Sequence, residues 1–449
     1  MGPTMVRRAL PLVVLFGCSA TQGNAPAGSE GQSNATAGSA QEQHPSADPS
    51  APIPDPLPVS DTDLAAVSQS INAFTVDLYK QVSGTEGNLV TSPASIAIAL
   101  GMTYQGATDN TAAEFESVLH VQGIEPSQWH AAAGELAQRW MRSAPAQEGQ
   151  APPPEIALAN RLFGAEGVPF KDAFVTQSAR DYRAPMERVD FSASEATRAH
   201  INGWVEDQTH DRIRDLIPPG ILTKDTLLVL ANAIYFKAQW QETFNEASTH
   251  DAAFVANGKD KVEVPTMRTT KSFKYTVVDN ATVVELPYAS SSFAMTLAMP
   301  HEPDGLGGLE ASLAADSVTQ WSAAMTYQRI ALSMPKFKIK PAKSIALAEP
   351  LKALGLKQAF TDLAQFDGMA APQDERLKID DVFHKGFIEV DENGTEAAAA
   401  TAVVMMRAGG MPAEPTPVAF DRPFLFFIRD TDTGAILFMG RVVDPTSPS

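Results

Sequence analysis

The run from Glu389 to Gly410 is where the residue types of this chain could do chemistry, and that chemistry would be a change of backbone pairing. Ala397, Ala398, Ala399 and Ala400 favour helix, Thr401 to Val404 favour strand, and Gly409 and Gly410 with Pro412, Pro415 and Pro417 impose an exposed, irregular stretch. Side chains alternate along a strand, so Thr395, Ala397, Ala399, Thr401, Val403 and Met405 would share one face. None of them is charged, Pro or Gly, so that face could enter a core. Constellations for side-chain catalysis are missing: there is no G-x-S-x-G, G-x-x-x-x-G-K-[ST] or H-E-x-x-H, and the 8 His lack the i, i+4 spacing of a metal pair. Asp380 and Asp381 read as solvated carboxylates rather than a general acid and base. The expectation is a chain that is not an enzyme, with no cofactor and no metal.

These residues need a scaffold, and the bulk composition supplies one. At 449 residues, 44% hydrophobic and 19% charged, the chain can bury a sizeable core. A net charge of -19 without a Lys or Arg cluster excludes nucleic acid as a partner. The only cysteine, Cys18, leaves no disulfide framework or thiolate metal site. Arg7 and Arg8 precede the apolar run Ala9 to Phe16, and Leu15-Phe16-Gly17-Cys18 resembles the lipobox of bacterial lipoproteins, with Phe16 where a small residue is usual. Residues 1–17 are therefore expected to be a lipoprotein signal peptide, with lipidation at Cys18; an ordinary secretory signal cut nearby, or a start at Met5, is the other reading. The apolar run is too short to span a bilayer. Residues 18–60, rich in Pro, Ala and Ser and ending in Pro52-Ile53-Pro54-Asp55-Pro56-Leu57-Pro58, should be a disordered tether. The expected location is secreted, as an outer-membrane or cell-surface lipoprotein, and otherwise periplasmic or extracellular.

Beyond Ser60 the pattern is α+β. Asp61 can cap a helix carrying Leu64, Val67, Ile71, Phe74, Val76 and Leu78 at helical spacing. A nearly all-apolar helix should follow Ser92 and Pro93. Leu227 to Phe236 reads as a central strand covered on both faces, and Val283 to Leu286, Ala294 to Met299, Ile330 to Met334 and Phe424 to Arg429 as further strands.

Val390 to Ala402 resembles the hinge of inhibitory serpins, and the resemblance extends from Asp61 to Pro445. It is carried also by Asn88 to Ser95, Gly106-Ala107, Ala159 to Phe163, Asn202 to Val205, Asn232 to Lys237, Trp240, Phe244, Glu285 to Tyr288, Asp421 to Arg429 and Phe438 to Val442. Ala238 departs from the family, which usually has Gly there, and is expected to crowd a turn.

The resemblance implies a serpin fold over residues 61–446, helices plus three β-sheets, with an exposed reactive-centre loop at about 392–418. It implies an irreversible suicide inhibitor of serine proteases, with cysteine proteases as a second target class, that acts as a monomer and traps the protease as a covalent acyl-enzyme while the cut loop inserts as a strand. Insertion would bury Val403 and Met405 at roughly 1.5 to 3 kcal/mol each. The hinge would comprise Glu392, Gly394, Thr395, Glu396, Ala397, Ala398, Ala399, Ala400 and Thr401. Ser92, Asn232 and His384 fall where the family has its shutter, and Trp240 at the breach where the loop first enters. The family's spacing from Gly394 places the reactive bond at Ala408-Gly409, suiting an elastase-like protease; Arg407-Ala408, suiting a trypsin-like one, stays equally open. A non-inhibitory serpin acting as a binding or chaperone-like module would carry charge or Pro on the inward hinge face, and this sequence has neither.

Overall fold

The computed structural model describes residues 55–142, 150–184, 186–278, 280–371, 376–396 and 414–447. The chain begins with α1 (Asp61–Val82), β1 (Leu89–Thr91), α2 (Pro93–Tyr104), α3 (Asp109–Val118), α4 (Pro126–Met141), β2 (Glu155–Ala165), α5 (Asp172–Tyr182), β3 (Glu187–Val189) and α6 (Ser194–Gln208). It continues through β4 (Leu228–Gln239), β5 (His250–Ala256), β6 (Asp260–Val278), β7 (Ala281–Pro287), β8 (Phe293–Pro300), α7 (Leu306–Ser312), α8 (Ser317–Ala324), β9 (Thr326–Pro335), β10 (Phe337–Ile339), β11 (Ile345–Ala346) and α9 (Ala348–Leu354). β12 (Val382–Gly386), β13 (Ile388–Val390), β14 (Gly394–Thr395), β15 (Thr416–Ala419), β16 (Phe424–Asp430) and β17 (Ile436–Val442) follow.

α1 starts one residue earlier than the sequence suggested. Ser60, not Asp61, is the N-cap: its hydroxyl accepts from the Asp63 amide at 3.2 Å while the Asp63 carboxylate accepts from the Ser60 amide at 2.9 Å. The reason is that Ser60 has extended backbone that aims its oxygen into the first turn, whereas Asp61 is already helical. α2 is buried along its whole length, with Ser92 as N-cap and Pro93 in the first turn.

The strands form two sheets among the described residues. One runs β1-β17-β16-β8-β7-β6-β9-β15, with β5 on β6; the other runs β10-β13-β14-β4-β12-β11, with β2 also on β4 and β3 on β2. Three sheets were expected. The difference lies in β6, which runs unbroken from β5 pairing (Asp260 to Thr266) through β9 pairing (Thr266 to Tyr275) to β7 pairing (Lys274 to Val278), so one hydrogen-bond ladder joins what would otherwise be two sheets.

β4 is apolar on both faces because both are covered. Leu228, Leu230, Ile234 and Phe236 enter the main core, while Val229, Ala231 and Ala233 pack with Ile201, Val205, Ile213 and Ile217 on the side of α6. Residues facing either way are thus removed from water, which is why the strand reads as a continuous apolar run rather than an alternation.

Candidate functional site

At the top of the second sheet, the chain leaving β13 turns on Asp391, whose carboxylate accepts from the Asn393 amide at 2.8 Å and the Gly394 amide at 3.2 Å. Gly394 has φ +156, and a Cβ there would lie 2.0 Å from the Ala238 carbonyl oxygen, so only glycine lets the turn approach β4 this closely. Thr395 then pairs antiparallel with Ala238 on one side and Val390 on the other. Its side chain is fully buried, with Oγ1 2.7 Å from the Tyr288 hydroxyl. Glu396 donates its amide to the Glu389 carbonyl at 2.9 Å but has φ +50, so the extended strand stops there.

Trp240 clasps this turn. Its amide donates to the Asn393 carbonyl at 2.8 Å and its indole Nε1 to the Asp391 carbonyl at 3.0 Å. The indole stacks on Tyr288 at 4.6 Å with an interplanar angle of 11°. Glu392 is buried beside it. Burial pushes its carboxyl up, but the Lys336 ammonium at 2.8 Å and the Thr249 hydroxyl at 2.7 Å outweigh that and hold it below the ordinary range.

Below the turn the sheet is split. β12 pairs with β4 from Val382↔Leu230 to Gly386↔Ile234, and β14 pairs with it only at Ala238 and Gln239. Between these points Tyr235, Phe236 and Lys237 pair with Ala157, Ile156 and Glu155 of β2 and have no strand partner among the described residues on the other edge. The gap widens from the Ile234↔Gly386 pair to the level of Thr395, where β14 lies between β4 and β13.

Under the closed part lies a polar row. The Ser92 amide donates to His384 Nε2 at 3.0 Å, so Nδ1 carries the ring proton and donates to Asn232 Oδ1 at 2.6 Å. Asn232 Nδ2 donates to Ser95 Oγ at 2.7 Å and to Asn160 Oδ1 at 2.6 Å. Ser92 Oγ donates to the Leu437 carbonyl at 2.6 Å and accepts from the Ser95 amide at 3.3 Å, so the helix cap and the cluster share one side chain. Burial pushes His384 down to about 3, keeping it neutral. Asn160, Asn232 and His384 are register neighbours across β2, β4 and β12, joined by uncharged hydrogen bonds that can be broken and remade.

The structure thus brings Ser92, Asn232 and His384 together in one cluster, and Glu392, Gly394, Thr395, Glu396 and Trp240 in another. Cys18, Ala397 to Thr401, and Arg407 to Gly409 lie outside the described residues. Ala238 does not crowd a turn: it lies within β4, buried, where its carbonyl meets Gly394. Sequence reasoning did not assign Asn160, Ser95, Tyr288 and Lys336 to these clusters. The signal for Asn160 was a polar residue inside an apolar strand run; the other three needed the register of distant segments.

A sequence model of the family described as Serpin (serine protease inhibitor) matches residues 69–445. Human Serpin B4 is 34% identical over 393 residues, covering 85% of this chain and 100% of its own. Leukocyte elastase inhibitor of Bos taurus is 35% identical over 390 residues, covering 84% and 99%. Human thyroxine-binding globulin, solved in complex with thyroxine, superposes with a TM-score of 0.75 at 28% identity, covering 86% of this chain and 100% of that one.

Proposed function

The chain belongs to the serpin family, described as serine protease inhibitors, and from that premise we propose that it is a single-use inhibitor that traps its target as an acyl-enzyme by inserting the cut loop into the second sheet. The serine oxygen of the protease attacks the carbonyl carbon of Arg407 or Ala408, the C–N bond that follows it breaks, the amine leaves with the serine proton, and the protease stays as an ester on the new chain end. Insertion then drags the ester away from its attacking water, and inhibition is a race between insertion and hydrolysis.

The observation that carries this reading is the strand Gly394–Thr395, already paired between β13 and β4 at the mouth of the slot. Continuing that antiparallel register would set Ala397 opposite Phe236 and lead the loop to the Asn232 and His384 pair, which has to part for it to pass. The test is to mix the purified chain with trypsin and, separately, with pancreatic elastase, then run denaturing gels with mass spectrometry of the released peptide. An SDS-resistant band at the summed mass is expected, and the peptide locates the bond. Cleavage by both with no covalent band and full residual protease activity would favour a non-inhibitory binding role instead.

From Leu15 to Cys18 we also infer attachment through a lipidated Cys18, with residues 18–60 as the spacer.

A further inference from the structure

The segment between α6 and β4 crosses the front of the slot as a strap. Asn202 on α6 holds its far end, donating to the Ile217 carbonyl at 3.0 Å and accepting from the Ile217 amide at 2.8 Å. Lys385 of β12 donates to the Arg214 carbonyl at 3.0 Å, and Ser344 to the Leu216 carbonyl at 2.6 Å. On the β2 side, His210 Nε2 meets Glu155 at 2.6 Å. The strap therefore ties β2, on the far edge of β4, to β12 on the other side of the slot. It does so with a costly backbone: His210, Asp211 and Asp215 have φ of 49, 62 and 50, left-handed values that disfavour side chains with a Cβ.

Arg212 sits at the middle of the strap and makes an ion pair with Glu396, the residue at which the hinge strand stops. Its guanidinium carbon also lies 6.0 Å from the Phe387 ring, between β12 and β13. Tyr235 of β4 is on the opposite wall, its hydroxyl raised by burial first and by the Glu396 and Glu155 charges next, with Arg212 opposing. Glu396 is 8% exposed in its side chain, against 49% for Arg212. Burial pushes the Glu396 carboxyl up and Arg212 is the leading counterweight, so without Arg212 the hinge would hold a buried carboxylate lacking its main compensation.

We propose that Arg212 is a latch: paired with Glu396 while resting between Tyr235 and Phe387, it holds the hinge and both walls of the slot at the first inserted residues, and its release sets the rate at which the rest of the loop enters. The inference rests on the insertion reading above. For insertion to proceed, the Glu396 backbone must pass from its left-handed value to an extended one, and the strap must lift from Tyr235; both movements break this one pair. Arg212 is thus a positioning residue that acts through Glu396 and the strap.

The experiment follows tryptophan fluorescence in a stopped-flow instrument after the loop of the full chain is cut, with the Tm of the cut product as end point, for the parent chain, Arg212→Gln, Arg212→Lys, Glu396→Gln and the Arg212→Gln/Glu396→Gln double variant. Arg212→Gln should convert roughly threefold to tenfold faster than the parent to a product of the same raised Tm, about the rate expected from losing one partly buried ion pair. Arg212→Lys, which keeps the charge, should return close to the parent rate. In the Glu396→Gln background, Arg212→Gln should add less than about twofold, because the two substitutions remove one shared interaction. An unchanged rate in Arg212→Gln, or the same acceleration with and without Glu396, overturns the latch. No rise in Tm on cutting any of the five chains overturns the insertion reading itself, and the latch with it.

Discussion

The Thr395 hydroxyl lies 2.7 Å from the Tyr288 hydroxyl in a fully buried site, and Tyr288 is in turn stacked on Trp240 at 4.6 Å. The first inward residue of the hinge is therefore already seated in the core, on a base formed by the two aromatic rings that bridge the two sheets. Polar matching at this point is satisfied by one short side chain.

Thr395→Arg should turn the inhibitor into a substrate. A guanidinium would need to be buried against Tyr288 without a counterion, which slows insertion relative to deacylation. On a denaturing gel with the target protease, the covalent band should fall by more than about tenfold while the cleaved chain accumulates; retention of full trapping would count against insertion at this position.

Gly394→Ala should free the hinge from the sheet or strain it. The added Cβ would lie 2.0 Å from the Ala238 carbonyl oxygen, in β4, where the adjacent Lys237 pairs with Glu155 of β2. A loss of about 1 to 3 kcal/mol in the stability of the uncut chain is expected from such overpacking. Urea unfolding of the uncut chain measures it, and a change below about 0.5 kcal/mol would mean that the turn relaxes without cost.

Acid should destabilise the native chain through its buried histidines. His384 and His130 are each pushed by burial from the ordinary 6.5 down to about 3, so the unfolded chain binds protons that the native one cannot. The stability they allow is complete above about 6.5 and is lost as pH falls from there toward about 3, at a slope of up to about 1.4 kcal/mol per pH unit for each. His384→Gln should reduce the slope of unfolding free energy against pH by up to about 1.4 kcal/mol per pH unit; an unaltered slope would show that His384 does not titrate with unfolding.

Cys18→Ala should release the protein from membranes without altering protease trapping, because the substitution lies far in sequence from the hinge. Fractionation of cells expressing the two forms decides it, and persistent attachment of the variant would exclude Cys18 as the anchor.

The sequence by itself was enough to specify the α+β class, the central strand and an uncharged alternating face starting at Thr395, because each of these is written in local terms. The apolar run of β4 follows from cover on both faces, and the alternating small residues from Thr395 onward follow from the two-residue period of a strand. Ser92 could likewise be assigned as a helix cap from its neighbours alone. What adjacency cannot encode is which distant strands lie side by side. That Asn160 meets Asn232 and His384, that Tyr288 receives Thr395, and that Arg212 reaches Glu396 across the slot are consequences of register and of the crossing strap. The merging of two sheets through β6 has the same origin. Local residue type determined what could enter the core of this protein; only the tertiary pairing of strands far apart in the chain decided where the opening lies and how far the hinge has already entered it, because a hydrogen-bond register exists only between segments that the fold brings together.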